Sequence, residues 1–471
     1  MSSENGARRW QTAPASPAGK AKESLRVEIQ DQQGKPLPGF SLSASKEIIG
    51  DHLAHPVQAQ QKNDSPPLHH EECQPLFIPV PAKERTTMSR ATFTILLSLC
   101  AFCLPASLTA AEVEGPLEPH LAKPVLEMQQ VFKGERFGNI VVTNKGTVVA
   151  TWGTSHVRAC RSEDGGKTWG KEIVIAKPGF QCGGLTVDET TGNIWAFVEE
   201  RHPPAPLHVY RSQDDGKSWQ EVSIKIHPDS QGNMPSMHMN EHGITLRHGK
   251  HKGRLIRPAR FYAGKNDRSL WPKHYTNAIY SDDGGTTWKT SDPFPANGTG
   301  EATLAELSDG TIYYNSRRHW APEGKNPRRR WTATSTDGGH TWKDLVFCEI
   351  LPDGPQNTNY GCMAGLTRLA VKNHDILLYS NCDSPNGRDH GTIWASFDGG
   401  KTWPIKRLLY EGRHAYSSLT SGRPGTQTEG WIYLHFEGGP TGGSTVARFN
   451  LAWVLGGKST GDGKVPAKFS R

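Results

Sequence analysis

One eight-residue motif occurs five times along this chain. The copies read SEDGGKTW from Ser162, SQDDGKSW from Ser212, SDDGGTTW from Ser281, STDGGHTW from Ser335 and SFDGGKTW from Ser396. Each places Asp two residues after Ser, Gly four after and Trp seven after. The copies start 50, 69, 54 and 61 residues apart. Repetition at a period of tens of residues marks an array of like supersecondary units. Apolar and polar residues alternate just before three of the boxes, in LHVYRS, TNAIYS and RWTATS, as in half-buried strands. The D-x-G or D-G-G core is a hairpin turn, since Asp bonds nearby amides and Gly takes the positive φ. The closing Trp is then an apolar anchor between neighbouring units. Small antiparallel sheets repeated radially make a β-propeller.

Composition agrees with a turn-rich soluble protein. The 471 residues include 50 Gly, 33 Pro and 14 Trp, and 21% are charged. Net charge is a moderate +7. The basic runs Arg328 to Arg330 and His248 to Arg254 read as solvated loops on a propeller rim, so no nucleic-acid partner is expected. A basic face also suits an anionic substrate.

Residues 88–111, MSRATFTILLSLCAFCLPASLTAA, have one Arg, an apolar stretch and small residues at the end. That is the pattern of a secretory signal peptide cleaved after Ala110 or Ala111, and it implies a secreted or periplasmic protein. The apolar stretch is short for a membrane span, so no stable span is expected after cleavage. Met88 is the expected start, with residues 1–87 a low-order, misassigned extension. The alternative keeps the whole chain and makes the apolar stretch an internal anchor. Residues 112–471 form the expected propeller. Five Cys follow the signal (Cys160, Cys182, Cys348, Cys362 and Cys382), without C-x-x-C spacing, and no disulfide framework is expected.

The string S-x-D-x-G-x-T-W resembles the Asp-box of sialidases. The resemblance extends over most of residues 131–455. It implies an all-β, six-bladed β-propeller of four-stranded antiparallel sheets. Five blades would carry boxes, and the sixth would be closed by both ends of the chain, through Gly138 to Ala150 and the C-terminal strands Trp431 to Phe436 and Val446 to Val454. It also implies that the box Asp residues are structural. An acidic sugar needs a planar clamp of Arg side chains. Because its anomeric carbon bears a carboxylate, a Tyr activated by Glu replaces an anionic nucleophile.

Segment by segment, the family pattern falls on residues of this chain. ERFGNIVVTNKGTVVA supplies Arg136, with Phe137 and Gly138 where the family has Ile and Pro. GTGEATLAELSDGTIYYNSRRHW supplies Glu301 as the base and Arg317 as the second clamp residue, offset by one from Arg318. Strand alternation lets only one of these two face the site. NCDSPNGRDHGTIWASFDGGKTWP supplies Arg388. HAYSSL supplies Tyr416, and ARFNLAWV resembles the family's ending. A lone Arg or Tyr is usually surface or packing, but five in family order favour a site.

One element departs from the pattern. The family takes its acid from a loop after the first blade strand, and here WGTSHVRACRS holds neither Asp nor Glu. His156, Glu199 and Glu200 are the candidate substitutes. HMNEH (His238 to His242) matches a zinc signature that needs a helix, and Pro235 and Gly243 oppose one. No metal or organic cofactor is expected. The resemblance thus implies retaining, exo-acting hydrolysis of a terminal sialic acid or related acidic sugar from a glycan. Its rivals are a non-catalytic glycan-binding propeller and a propeller hydrolase of another polysaccharide.

Overall fold

The computed structural model describes residues 24–30, 36–45 and 114–456, apart from 182, 239, 265–266, 319, 325–327 and 358–360. Two compact units are present, residues 1–102 and 103–471. The first contains an antiparallel pair, Ser24–Gln30 with Pro36–Ser45. The signal-like stretch lies outside the described residues, as does Cys182. Cys160, Cys348, Cys362 and Cys382 are free.

Strand pairing in the second unit closes a ring of six antiparallel sheets. Asn139–Val142, Val148–Trp152, Val157–Ser162 and Ile173–Ala176 pair in order as the first blade. In the second, Ile194–Glu199 and Leu207–Ser212 are central. Leu255–Phe261 and Tyr275–Ser281 centre the third. Thr299–Glu306, Ile312–Arg318, Arg329–Ser335 and Lys343–Pro352 make the fourth. The long strand Ile405–Ser421 belongs to two blades. Its first half pairs with Asp389–Ser396 in the fifth, and its second half with Ile432–Gly438 in the sixth.

The sixth blade, which has no box, is closed by the N-terminal strand Leu126–Phe132 against Ser444–Phe449. This corrects the expectation that Gly138 to Ala150 closes the ring. That stretch is the first hairpin of the first blade, and the closing strand lies upstream of it. The C-terminal strand also ends earlier than Val454. Leu451–Val454 is a helical turn, capped by the Asn450 side chain accepting from the Trp453 amide at 2.9 Å.

Each box is a small polar machine. The Ser hydroxyl donates to the Asp at 2.7–2.8 Å and accepts from the Gly amide four residues on. The same Asp accepts from the amide six residues after Ser at 2.9–3.0 Å. Its acceptor capacity is spent inside the turn, so it has no part in chemistry. In the second box Asp215 stands at φ 67, where the other copies have Gly. Thr147 and Arg161 hold its carboxylate at 2.6 and 2.9 Å.

The box Trp is the latch between blades. Trp288 is fully buried and meets Phe197 of the preceding blade edge-on at 5.2 Å. A Cβ on Gly285 would come within 2.4 Å of Trp195, so this turn needs Gly for contact as well as for φ. The strand before the third box is buried on both faces, with all seven residues of Tyr275–Ser281 inside, because neighbouring blades stack on each side of it. Leu207–Ser212, before the second box, buries only Val209 and Ser212 and is half-buried elsewhere.

The innermost strands line the axis. Thr299–Glu306 carries Glu301 near one end and Glu306 at the other. At about 3.3 Å per residue these carboxylates sit near opposite mouths. Around Glu306, Arg247 and Arg423 both pair with Glu189, and Arg368 pairs with Glu114 and Asp375. The chemistry-bearing groups gather at the Glu301 end.

Candidate active site

Tyr416 sits where the shared strand passes from the fifth blade to the sixth, at an irregularity between His414 and Ser417. Its hydroxyl donates to Glu301 Oε1 at 2.5 Å. The other oxygen, Oε2, accepts from Arg317 Nη1 at 2.6 Å. Arg136 and Arg388 lie against the phenol ring, their guanidinium carbons 5.1 and 5.2 Å from its centroid. All five residues expected from the sequence therefore meet around one phenol, although they come from blades four, five and six and from the segment ahead of blade one.

Arg317 and Arg318 separate as strand alternation requires. Arg317 points inward. Arg318 turns out to Glu323 at 2.8 and 3.0 Å and lies over Trp331. Arg136 rides on a twisted loop in which Gly134, Glu135 and Phe137 have φ of 59, 49 and 70. A β-branched residue resists the φ of 70 at Phe137, which accounts for the absence of Ile there. Gly138 is required in addition because a Cβ there would strike the His435 ring at 2.6 Å.

Behind Arg136 and Arg317 stand carboxylates that the sequence alone did not reveal. Glu437 takes Arg136 Nε and Nη2 at 3.1 and 3.0 Å and the Phe137 amide at 3.1 Å. Glu437 is buried, whereas the Arg136 side chain is 38% exposed and so reaches the open mouth. Asp353 is wedged between Arg317 Nε at 3.5 Å and Arg330 Nη1 at 3.1 Å. Arg388 is tethered by Nη2 to the Gly361 carbonyl at 2.8 Å. Neither Glu437 nor Asp353 lies in a recognisable motif; the only available signal was the need of a buried Arg for an anion. Arg260 is a further buried guanidinium, held by the His274 ring at 2.9 Å.

The electrostatics follow from burial and pairing. Burial works to raise the Glu301 carboxyl, but the Arg317 guanidinium and the Tyr416 hydroxyl outweigh it and hold it below the ordinary value. Burial, reinforced by the Glu301 carboxylate, pushes the Tyr416 phenol well above its ordinary value. The resting pair is phenol and carboxylate, poised to move one proton across a short hydrogen bond. Burial also lifts Asp353, to about 6, against the pull of Arg317 and Arg330.

The residues considered as substitute acids are scattered. Glu199 is buried and accepts from Ser236 Oγ at 2.7 Å and the Met237 amide at 3.2 Å. Glu200 faces His208 at 3.1 Å and Arg201 at 3.2 Å. His156 lies on the loop that docks on Arg136, where the Gly153 amide donates to the Arg136 carbonyl at 3.1 Å. The described residues of the HMNEH segment, His238 and Asn240 to His242, are not helical. His238 stacks on Phe180, and Glu241 accepts from Ser418 Oγ at 2.6 Å and the Leu419 amide at 3.0 Å. Among the described residues no group of three or more His, Cys, Asp or Glu could hold a metal ion.

A six-bladed propeller with boxes on five blades, and Tyr, Glu and Arg residues at one mouth, defines a class. Residues 189–428 match the BNR repeat-like domain, and the chain belongs to that family within the sialidase superfamily. It is 30% identical over 412 residues to a sialidase of Micromonospora viridifaciens, covering 78% of this chain and 60% of the relative. It is 29% identical over 337 residues to a sialidase of Bacteroides fragilis, covering 60% and 57%. The chain thus spans about three fifths of the length of these curated relatives. Among solved structures, the Hadza microbial sialidase Hz136 superimposes with a TM-score of 0.54 at 26% identity, over 67% of this chain and 65% of the other.

Proposed function

We propose that this propeller is an exo-acting, retaining glycoside hydrolase that releases a terminal sialic acid or related acidic sugar from a glycan. The observation that carries the reading is the Tyr416 hydroxyl bonded to Glu301 at 2.5 Å with two guanidinium groups against the same ring. Arg136, Arg317 and Arg388 hold the sugar carboxylate, which a fork of N–H donors matches in plane. Tyr416 Oη attacks the anomeric carbon as its proton passes to Glu301, and a covalent glycosyl intermediate forms. A neutral phenol approaches the carboxylate-bearing carbon without the repulsion a carboxylate nucleophile would meet. The sialidase relatives and the match to the BNR family support this reading.

The test is turnover of a fluorogenic sialoside by the purified protein and by Tyr416→Phe. Turnover that vanishes in the variant, with ligand binding retained, is the expected result. Binding without turnover in the wild type would leave a glycan-binding propeller instead.

A further inference from the structure

We propose that His156 is the proton donor to the departing glycosidic oxygen, a role that rests on the hydrolase reading above. The loop carrying it is the one in which no carboxylate occurs. Its geometry is built around Glu135, the residue before Arg136. The Thr154 amide donates to Glu135 Oε2 at 3.3 Å, and the Ser155 hydroxyl donates to Oε1. Because the carboxylate can only accept, the Ser155 proton points at Glu135. Ser155 Oγ is left to accept from His156 Nδ1 at 3.0 Å.

The Ser155 contact fixes the imidazole with Nδ1 as a donor and leaves Nε2 as its second proton-carrying atom. Nε2 has no hydrogen-bond partner among the described residues, and the side chain is 28% exposed. The charged groups facing the ring are Glu135 at 4.0 Å and, behind it, Arg158, which pairs with Glu135 at 2.9 Å and Glu172 at 3.0 Å. The loop is anchored to Arg136, whose guanidinium lies on the Tyr416 ring. The loop carrying His156 therefore lies at the same end of the ring as the Arg136 and Tyr416 side chains, the end from which a leaving group departs.

Glu200 is engaged through Oε1 by His208 at 3.1 Å and through Oε2 by Arg201 at 3.2 Å. Glu437 is locked on Arg136 and the Phe137 amide. Asp353 lies behind Arg317, which separates it from Glu301 and Tyr416. Glu199 Oε1 already accepts two hydrogen bonds. His202 turns Nδ1 to the Pro203 carbonyl, and burial with the Arg260 charge holds its proton affinity down. Burial depresses His238 further.

The step balances. The His156 imidazolium gives its Nε2 proton to the glycosidic oxygen as the anomeric C–O bond breaks and the Tyr416 C–O bond forms, while Glu301 takes the phenol proton. In the second half the neutral imidazole removes a proton from water and the hydroxide adds to the anomeric carbon. The bond to Tyr416 breaks, and Glu301 returns its proton to the phenolate. An imidazolium serves acid and base roles near neutrality and is attracted to an anionic sugar.

His156→Ala and His156→Asn, compared on sialyllactose and on an aryl sialoside with an acidic leaving group, test the assignment. Proton donation matters most for the poor leaving group. The expected loss is about 10²–10⁴-fold in kcat on sialyllactose and less than about tenfold on the aryl substrate, with the basic limb of the pH profile lost. Equal losses on both substrates, or none on either, in a folded variant overturn it. His156→Asn places an amide N–H where Nδ1 stands, retains a donor for Ser155 and so controls for loop collapse. A wild type that turns over neither substrate overturns the hydrolase reading and this one together; turnover indifferent to His156 overturns this one alone.

Discussion

At the residue scale, the decisive arrangement is a carboxylate shared between a phenol and a guanidinium. Glu301 is almost wholly buried, and its two oxygens are divided between Tyr416 and Arg317. Arg317 in turn neutralises Asp353 from the other side. Replacing it with Lys keeps the charge but loses the planar fork. Arg317→Lys is expected to lower kcat/KM at least about 100-fold, about 2.7 kcal/mol of transition-state stabilisation. Retention of wild-type kcat/KM on any sialoside would show that the fork is dispensable. The five site residues were legible because each lies in a segment with its own pattern. Glu437, Asp353 and Glu135 were not legible. A supporting carboxylate is defined by which distant strand passes beneath an arginine, and sequence spacing does not encode that.

At the scale of the element, the boxes were readable from the chain because their chemistry is local. Ser, Asp and Gly meet within eight residues, so the turn is written in consecutive letters. The strand that closes the ring was misplaced because Leu126–Phe132 is an ordinary strand, chosen only by its distant partner Ser444–Phe449. The Leu451–Val454 turn escaped for a related reason. Its apolar residues read as a strand, but the Asn450 cap starts a helix instead. The Trp latches give an element-level prediction. Trp288 fills the gap between the second and third blades beside Trp195 and Phe197. Trp288→Ala is expected to lower unfolding stability by about 3–5 kcal/mol through the cavity it leaves. Chemical denaturation would report this; a change under 1 kcal/mol would mean that the box Trp is not an inter-blade anchor.

The molecule as a whole is built on buried neutral imidazoles as well as apolar packing. His120, His414 and His435 are all within the fold, and burial lowers them to about 4, about 3 and about 4. The unfolded chain binds protons at these sites near pH 6.5 while the folded chain does not. Stability is therefore full above about pH 6.5 and declines as the pH falls toward about 4. Each such histidine is worth roughly 3 kcal/mol over that window. The box carboxylates Asp214 and Asp337, held at about 2, add loss in the same direction at still lower pH. Thermal unfolding midpoints measured from pH 7.5 down to about 4 are expected to fall steadily, and a flat or rising midpoint would refute the account.

The seam of the ring has a consequence for how this protein fails. The segment Leu126–Phe132 fastens the last blade, and four residues later the same stretch of chain delivers Arg136 to the mouth, gripped by Glu437 from that very blade. Fastener and working part share one short length of backbone. Unzipping the seam would pull the first guanidinium away while the other five sheets still stand, so loss of the proposed activity is the expected first symptom of the ring coming undone.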